Sequence, residues 1–271
     1  MAVKNTNASS IKALKLLNLF TPSTPSLTLD DISVMSGLPK STAFRMLSAL
    51  VASGLLDVDD DVKGPRRYRL GLRLLELGQM VAEQLEIRRV ALPFMIKLRD
   101  EVEEAVQLVM MDRGEAVYIE KVETTHPVRL YTRVGRKAPV YAGACPRALI
   151  AFLPEDELRK ILDEQVYQRF TANTIVDRRA LEDQIRRERA QGYTVSHGEL
   201  YEGTYAVGMP IRDHSGRVIA SISVAGPEAR FTPERRPAII DALKRCVDAI
   251  SARLGYRNNV ENLSDTNGEG K

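Results

Sequence analysis

The chain has 271 residues, 44% of them hydrophobic and 28% charged, which fits a globular protein of two domains with a proper core. No apolar run approaches the ~20 residues that a membrane span needs. The first ten residues are polar and lack the apolar stretch of a secretory signal, so a cytoplasmic protein with no membrane partner is expected. The formal net charge is only +3, but the first 72 residues hold nine basic and six acidic side chains. The whole excess therefore lies in the first quarter, where it suits contact with phosphate.

In chain order, Ser9 and Ser10 precede an amphipathic helix carrying Ile11, Leu14, Leu17 and Leu19, and residues 21–26, with two prolines, read as a loop. A second helix is predicted over 29–36, with Thr28 as its cap, Asp30 and Asp31 in its first turn and Gly37 closing it. Pro39 opens a third helix running to about Ser53. Residues 55–58 and 67–70 read as two strands around a charged turn. A linker helix is predicted over 71–89, its apolar stripe formed by Leu72, Leu75, Met80, Val81, Leu85 and Ile87; a further helix over 90–104 begins the second domain near Pro93. Strands are then predicted at 105–112, 116–122, 128–132, 193–195, 205–212 and 218–225, the last two joined by a turn at 213–216. Helices fall at 146–152, 154–165, 178–191 and 233–254.

Residues 29–53 carry the most specific signal. Leu29, Ile32, Met35, Leu38, Ala43, Leu47 and Leu50 can pack two short helices together across Ser36-Gly37-Leu38. That leaves Lys40, Ser41, Thr42 and Arg45 on the outer N-terminal face of the second helix of the pair. Such a face, set in a major groove, reads bases: Arg45 can offer two donors to a guanine edge, Ser41 and Thr42 can bond a base or a phosphate, and Lys40 suits a phosphate. An ordinary helical hairpin with a solvated basic face has the same spacing. The hairpin that follows, with Arg66, Arg67 and Arg69, makes the arrangement that of a winged helix-turn-helix. Asp57, Asp59, Asp60 and Asp61 leave only the 63–67 side of the wing, with Arg66 and Arg67, to approach double-stranded DNA.

The run LTLDDISVMSGLPKSTAFRMLSALVASGLLD, then RYRLGLRLLELG, resembles the DNA-binding domain and linker of the IclR family of transcriptional regulators. VYIEKVE, VGRKAPVYAGACPRALIAFLP and GYTVSHGELYEGTYAVGMPIRDHSGRVIASISVAGPEARFT resemble its second half. The likeness spans residues 9–255. It implies an α+β chain with an N-terminal winged helix-turn-helix, a linker helix and a C-terminal GAF-like effector domain built on an antiparallel sheet. It also implies a homodimer or tetramer on a near-palindromic operator, and a small-molecule effector. The expected division is a disordered 1–8, the DNA-binding domain at 9–70, the linker helix at 71–89, the effector domain at 90–257 and a disordered tail at 258–271.

Residues 141–147, Tyr-Ala-Gly-Ala-Cys-Pro-Arg, form a junction of small residues leading into a helix, which suits either close packing or close approach of an anion. The resemblance places the effector here. Ala144 and Cys145 match the junction, Ser196 stands where family members binding small keto acids can carry an acid, Ala206 where cysteine can stand, Ser223 keeps a hydroxyl, and Ala225 lacks one. Cys-Pro-Arg also replaces the commoner small-Gly-Lys. These departures suggest an organic acid that is larger or partly apolar, aromatic or sugar-derived, with Ser223 as hydrogen-bond partner and Arg147 either assisting or facing solvent.

Two other readings remain open at this level. Cys145 at a helix N-terminus would have a lowered pKa, and a cysteine-dependent enzyme could pair it with His197. A DNA-binding protein without an effector is the other. Cys145 and Cys246 make no C-x-x-C, and His126, His197 and His214 are scattered, so neither a disulfide scaffold nor a metal site is expected, and no cofactor motif is present.

Overall fold

The computed structural model describes residues 8–59 and 65–257, which divide into two compact units between Gln84 and Leu85. The disorder expected of the two ends concerns residues outside these, except for Ala8, which opens a helix.

The first unit begins with α1 (Ala8–Lys15), running into a 3-10 turn at Leu16–Leu19, and continues through β1 (Ser26–Thr28), α2 (Leu29–Ser36), α3 (Lys40–Ala52), β2 (Leu56–Asp59), β3 (Arg67–Leu70) and α4 (Arg73–Gln84). Thr28 and Asp31 cap α2 reciprocally: Asp31 N–H donates to Thr28 Oγ1 at 3.2 Å, and Thr28 N–H donates to Asp31 Oδ2 at 2.9 Å. Gly37, at φ +68, ends α2 in the left-handed conformation and turns the chain into α3. Leu16, Leu27, Ile32, Ala43, Leu47, Leu50, Leu56 and Tyr68 form the core. Met35, expected to face inward, is half exposed. The wing sheet has three strands in the order β1-β3-β2. β1 begins at Ser26, the last residue of the stretch that reads as a loop, and the three residues Ser26-Leu27-Thr28 are too few to carry a period-2 signal.

The predicted linker helix is two helices. α4 ends at Gln84, Leu85 is extended, and α5 (Glu86–Val102) starts again. The apolar stripe splits with it. Leu72, Leu75, Met80 and Val81 are exposed around α4, whereas Ile87 is buried in the core of the second unit and Leu85 packs on it. Pro93 sits inside α5 rather than at its start; it removes one amide donor without ending the helix.

The second unit is a six-stranded antiparallel sheet in the order β6-β5-β4-β9-β8-β7, from β4 (Ala105–Asp112), β5 (Glu115–Val122), β6 (Lys137–Pro139), β7 (Thr194–His197), β8 (Thr204–Arg212) and β9 (Val218–Pro227). One face packs against α5 and α9 (Arg236–Arg253) through Val106, Leu108, Val207, Ile222 and Val224. The other meets α6 (Ala144–Ala151), while α7 (Glu155–Asp163) and α8 (Arg178–Gln191) pack around that helix. This is the expected α+β, GAF-like arrangement on an antiparallel sheet.

The strand predicted at 128–132 is absent. Three of its carbonyls accept from side chains instead: Lys121 Nζ donates to Leu130 O and Thr132 O, and Arg230 Nη1 donates to Val128 O. The short strand falls later, at β6. Among the described residues no helix is long and apolar enough to cross a membrane.

Candidate functional site

In the first unit, α3 begins after Pro39, which supplies no side-chain cap, so its first amides lack the cover that Thr28 gives α2. Ala43, Leu47 and Leu50 turn inward. Lys40, Ser41, Phe44, Arg45 and Ser48 are exposed, and Thr42 is half-buried. Ser41, Phe44, Arg45 and Ser48 stand at the i, i+3, i+4, i+7 spacing of one helix face. Lys40 Nζ lies 2.8 Å from Asp30 Oδ1 in an exposed pair that a phosphate can replace at little cost. Phe44 was not among the residues singled out from the sequence. Its signal is that an apolar side chain stands at the outer spacing, three residues after Ser41.

The basic wing residues part company. Arg66 is exposed. Arg67 is half-buried, its Nε and Nη2 donating to Ser26 Oγ and Ser26 O at 3.0 Å each, so it ties β1 to β3. Lys63 lies outside the described residues.

In the second unit, strand register assembles a cavity. Val207, Ile222 and Val224 fill the face toward α5 and α9, so the alternate residues of β7, β8, β9 and β4 point to α6. Ser196 pairs with Ala206, which pairs with Ala225; one step along, Thr194 pairs with Gly208, Gly208 with Ser223 and Ser223 with Gln107. All six residues expected to hold an effector, Ala144, Cys145, Ser196, Ala206, Ser223 and Ala225, line one narrow cavity with about 40 Å³ of accessible space. Gln107, Tyr118, Leu130, Thr132, Arg136, Leu200 and Tyr201 complete it.

The start of α6 is pinned over this face. Thr194 Oγ1 donates to Ala144 O at 2.8 Å, and Ser221 Oγ donates to Cys145 O at 2.6 Å. Gly208 permits the approach: a Cβ there would stand 2.7 Å from Ala144 O. Gly143 turns the chain at φ +90. Ser223 Oγ is buried and has no hydrogen-bond partner. A buried hydroxyl left unpaired costs about 1–3 kcal/mol, so a group that bonds it is favoured to bind.

Arg147 is in neither expected place. It is wholly buried, on the side of α6 away from the cavity lining. Its Nε and Nη2 donate to Glu188, its Nη1 and Nη2 donate to Glu199 at 2.5 and 2.9 Å, and it also donates to Tyr141 O and Val195 O. Burial alone would lower its pKa, but Glu199 and Glu188 outweigh it and hold the guanidinium protonated. Glu188 Oε1 accepts from Val195 N–H, and Glu199 Oε2 accepts from Gly143 N–H at 3.0 Å. One amide at the α6 entrance is therefore already occupied by an internal carboxylate. Neither glutamate was singled out from the sequence. Glu188 could have been: it continues the buried stripe of Leu181 and Ile185 at helical spacing.

The lowered pKa expected of the Cys145 thiol is not found. Cys145 is buried, and burial pushes its pKa up to about 11 rather than down, despite its hydrogen bond with the Ser221 hydroxyl. His197 is exposed, with Nδ1 3.3 Å from Glu228 Oε1, and is not part of the cavity lining.

The chain matches two family models: residues 10–60 the IclR helix-turn-helix domain, and residues 79–252 the bacterial transcriptional regulator IclR C-terminal domain. It is 43% identical over 254 residues to the HTH-type transcriptional regulator KipR of Bacillus subtilis, covering 94% of this chain and 100% of that protein. It is 30% identical to the HTH-type transcriptional repressor AllR of Escherichia coli, covering 91% and 90%. Among solved structures it is similar to an IclR homologue from Microbacterium hydrocarbonoxydans complexed with 4-hydroxybenzoate, with 26% identity, a TM-score of 0.78, and 91% of this chain and 99% of that one covered.

The buried triad yields a stability prediction. Arg147→Met leaves Glu188 and Glu199 without their cation and lowers the stability of the chain by about 3–5 kcal/mol. Urea unfolding of wild type and variant measures this; a loss below about 1 kcal/mol contradicts a buried, fully bonded triad.

Proposed function

The chain belongs to the IclR family of bacterial transcriptional regulators, and we propose that it is a cytoplasmic repressor of a catabolic operon whose hold on operator DNA is modulated by a small organic acid. It acts by binding and not by catalysis, a reading supported by the protonated, enclosed Cys145 thiol. One observation supports the sensing half above others: the buried, unpartnered Ser223 Oγ in a cavity lined by the α6 entrance. The family membership and the repressor AllR among the relatives support the regulatory half. The homologue complexed with 4-hydroxybenzoate supports an acid with an apolar body.

α3 reads the operator in the major groove. Arg45 contacts a base edge, Ser41 and Thr42 contact bases or phosphate, and Lys40 leaves Asp30 for a phosphate beside the uncapped helix start. Arg66 approaches the backbone from the wing. Arg67 contributes through the sheet, since two of its three nitrogens are engaged by Ser26. The chain works as a homodimer or a tetramer. All of α4 except the half-buried Leu74 is exposed among its described side chains, leaving Leu72 (72%), Leu75 (69%), Met80 (54%) and Val81 (58%) uncovered. An amphipathic helix whose apolar stripe is exposed is best satisfied by a second copy, and a two-fold protein matches a palindromic operator.

On a duplex selected from a random pool with the wild-type chain, Arg45→Ala weakens binding by about 1–3 kcal/mol and relaxes the preference at one base pair per half-site. Lys40→Ala weakens selected and scrambled duplexes alike and flattens the salt dependence by about one unit. Fluorescence anisotropy separates the two; an Arg45→Ala chain that binds the selected duplex like wild type contradicts the role given to α3. Sedimentation at micromolar concentration gives a dimer or larger for wild type and a lighter species for the Leu75→Glu, Met80→Glu double variant. A monomeric wild type, with and without the duplex, contradicts the assembly.

A further inference from the structure

Every large apolar side chain of α3 but one belongs to the core of its own unit. Leu47 and Leu50 are buried in that core, and Met46 and Val51 pack against it half-buried. Phe44 is the exception. It is 45% exposed, and its ring meets no other aromatic ring and no cation among the described residues. A lone exposed apolar side chain is ordinary on a protein surface. This one stands in the middle of the outer face of α3, with Ser41, Arg45 and Ser48 around it. Its ring still has apolar area to bury, and only an apolar group supplied from outside the chain can bury it.

The neighbours of Phe44 narrow what that group is. Lys40 and Arg45 bring positive charge to the same part of the helix. Lys40 is paired with Asp30, and the Arg45 side chain makes no ion pair or hydrogen bond among the described residues. Ser48 Oγ donates to Phe44 O at 2.9 Å, so its proton is used within the helix. The face therefore fits a surface that is negative overall and carries an apolar projection. A major groove is such a surface. Phosphates flank it, and among the base edges only thymine presents an apolar group, its C5 methyl. A second copy of this chain is the poorer occupant, because a two-fold contact between these faces would bring the cations of both copies together.

Resting on the reading of α3 as the recognition helix, we propose that Phe44 determines sequence at one base pair per half-site by packing on a thymine methyl beside the base that Arg45 contacts. Arg45 supplies directional hydrogen bonds. Phe44 separates thymine from cytosine by a carbon atom that no hydrogen bond detects. Burial of one methyl corresponds to about fourfold in affinity.

The test uses the full chain and the selected duplex, in which each thymine is replaced in turn by deoxyuridine. This keeps the pairing and removes only the methyl. In anisotropy titrations, wild type loses about fourfold at one thymine per half-site. Phe44→Ala binds the parent duplex more weakly and is indifferent to uracil at that position, and Phe44→Leu keeps part of the sensitivity. Placing 5-methylcytosine there, paired with guanine, binds wild type better than cytosine does. A selected duplex with no methyl-sensitive thymine overturns the proposal, as does a Phe44→Ala chain with the wild-type sensitivity. A Phe44→Ala chain that sediments lighter than wild type without DNA places the ring in a protein interface and also overturns it. If Phe44→Ala binds parent and uracil duplexes like wild type while Arg45→Ala is weakened, the role of Phe44 falls and that of α3 stands. If both variants bind like wild type, the reading of α3 itself falls.

Discussion

The effector domain is organised around a cation that water cannot reach. Arg147 projects from α6 into the space between α8 and β7, and seven hydrogen bonds to Glu188, Glu199, Tyr141 O and Val195 O replace its hydration. A charge in such a place is tolerated only when nearly every donor is matched, since a partly satisfied buried network costs more than an apolar core. Lysine, with three donors on a point charge, could not reproduce the planar fork. The bonds therefore set one position for α6, one for α8 and one for the segment that follows β7. Glu199 extends the constraint by accepting Gly143 N–H, so the turn that opens the cavity is held by the same network.

The cavity follows from that placement and from the two-residue period of the strands. The face of the sheet toward α5 and α9 carries valine, leucine and isoleucine; the face toward α6 carries serine, alanine, glycine and glutamine in register across four strands. Small residues on one face leave a gap beneath a helix that cannot settle further, because Thr194 and Ser221 already bond its first carbonyls. Much of the helix entrance is thus used internally.

Local signals made most of the fold legible. Thr28 with Asp31 announces α2, Gly37 its end and Pro39 the start of α3; the long strands β4, β8 and β9 show in their apolar runs. What could not be read depends on partners distant in the chain. β1 exists because Arg67 and β3 pair with it, and 128–132 fails to be a strand because Lys121 and Arg230 take its carbonyls. The break at Leu85 is hidden because an unbroken apolar stripe runs through it, although its two halves serve different units. The six cavity residues were reached through family likeness, and their convergence rests on strand register. Arg147 and Glu199 were beyond local reading, since charges in sequence look like solvated side chains until the fold brings them together; only Glu188 shows locally, in the stripe of Leu181 and Ile185.

Sensing requires that the acid bind the DNA-competent and DNA-incompetent states unequally, and linkage makes that requirement reciprocal. The most direct measurement is a pair of titrations on the full chain: affinity for the selected duplex with and without a saturating organic acid found by calorimetric screening, and affinity for that acid with and without saturating duplex. The account predicts that the acid weakens duplex binding by roughly 5–150-fold and that the duplex weakens acid binding by the same factor. Duplex affinity unchanged at saturating acid contradicts the account.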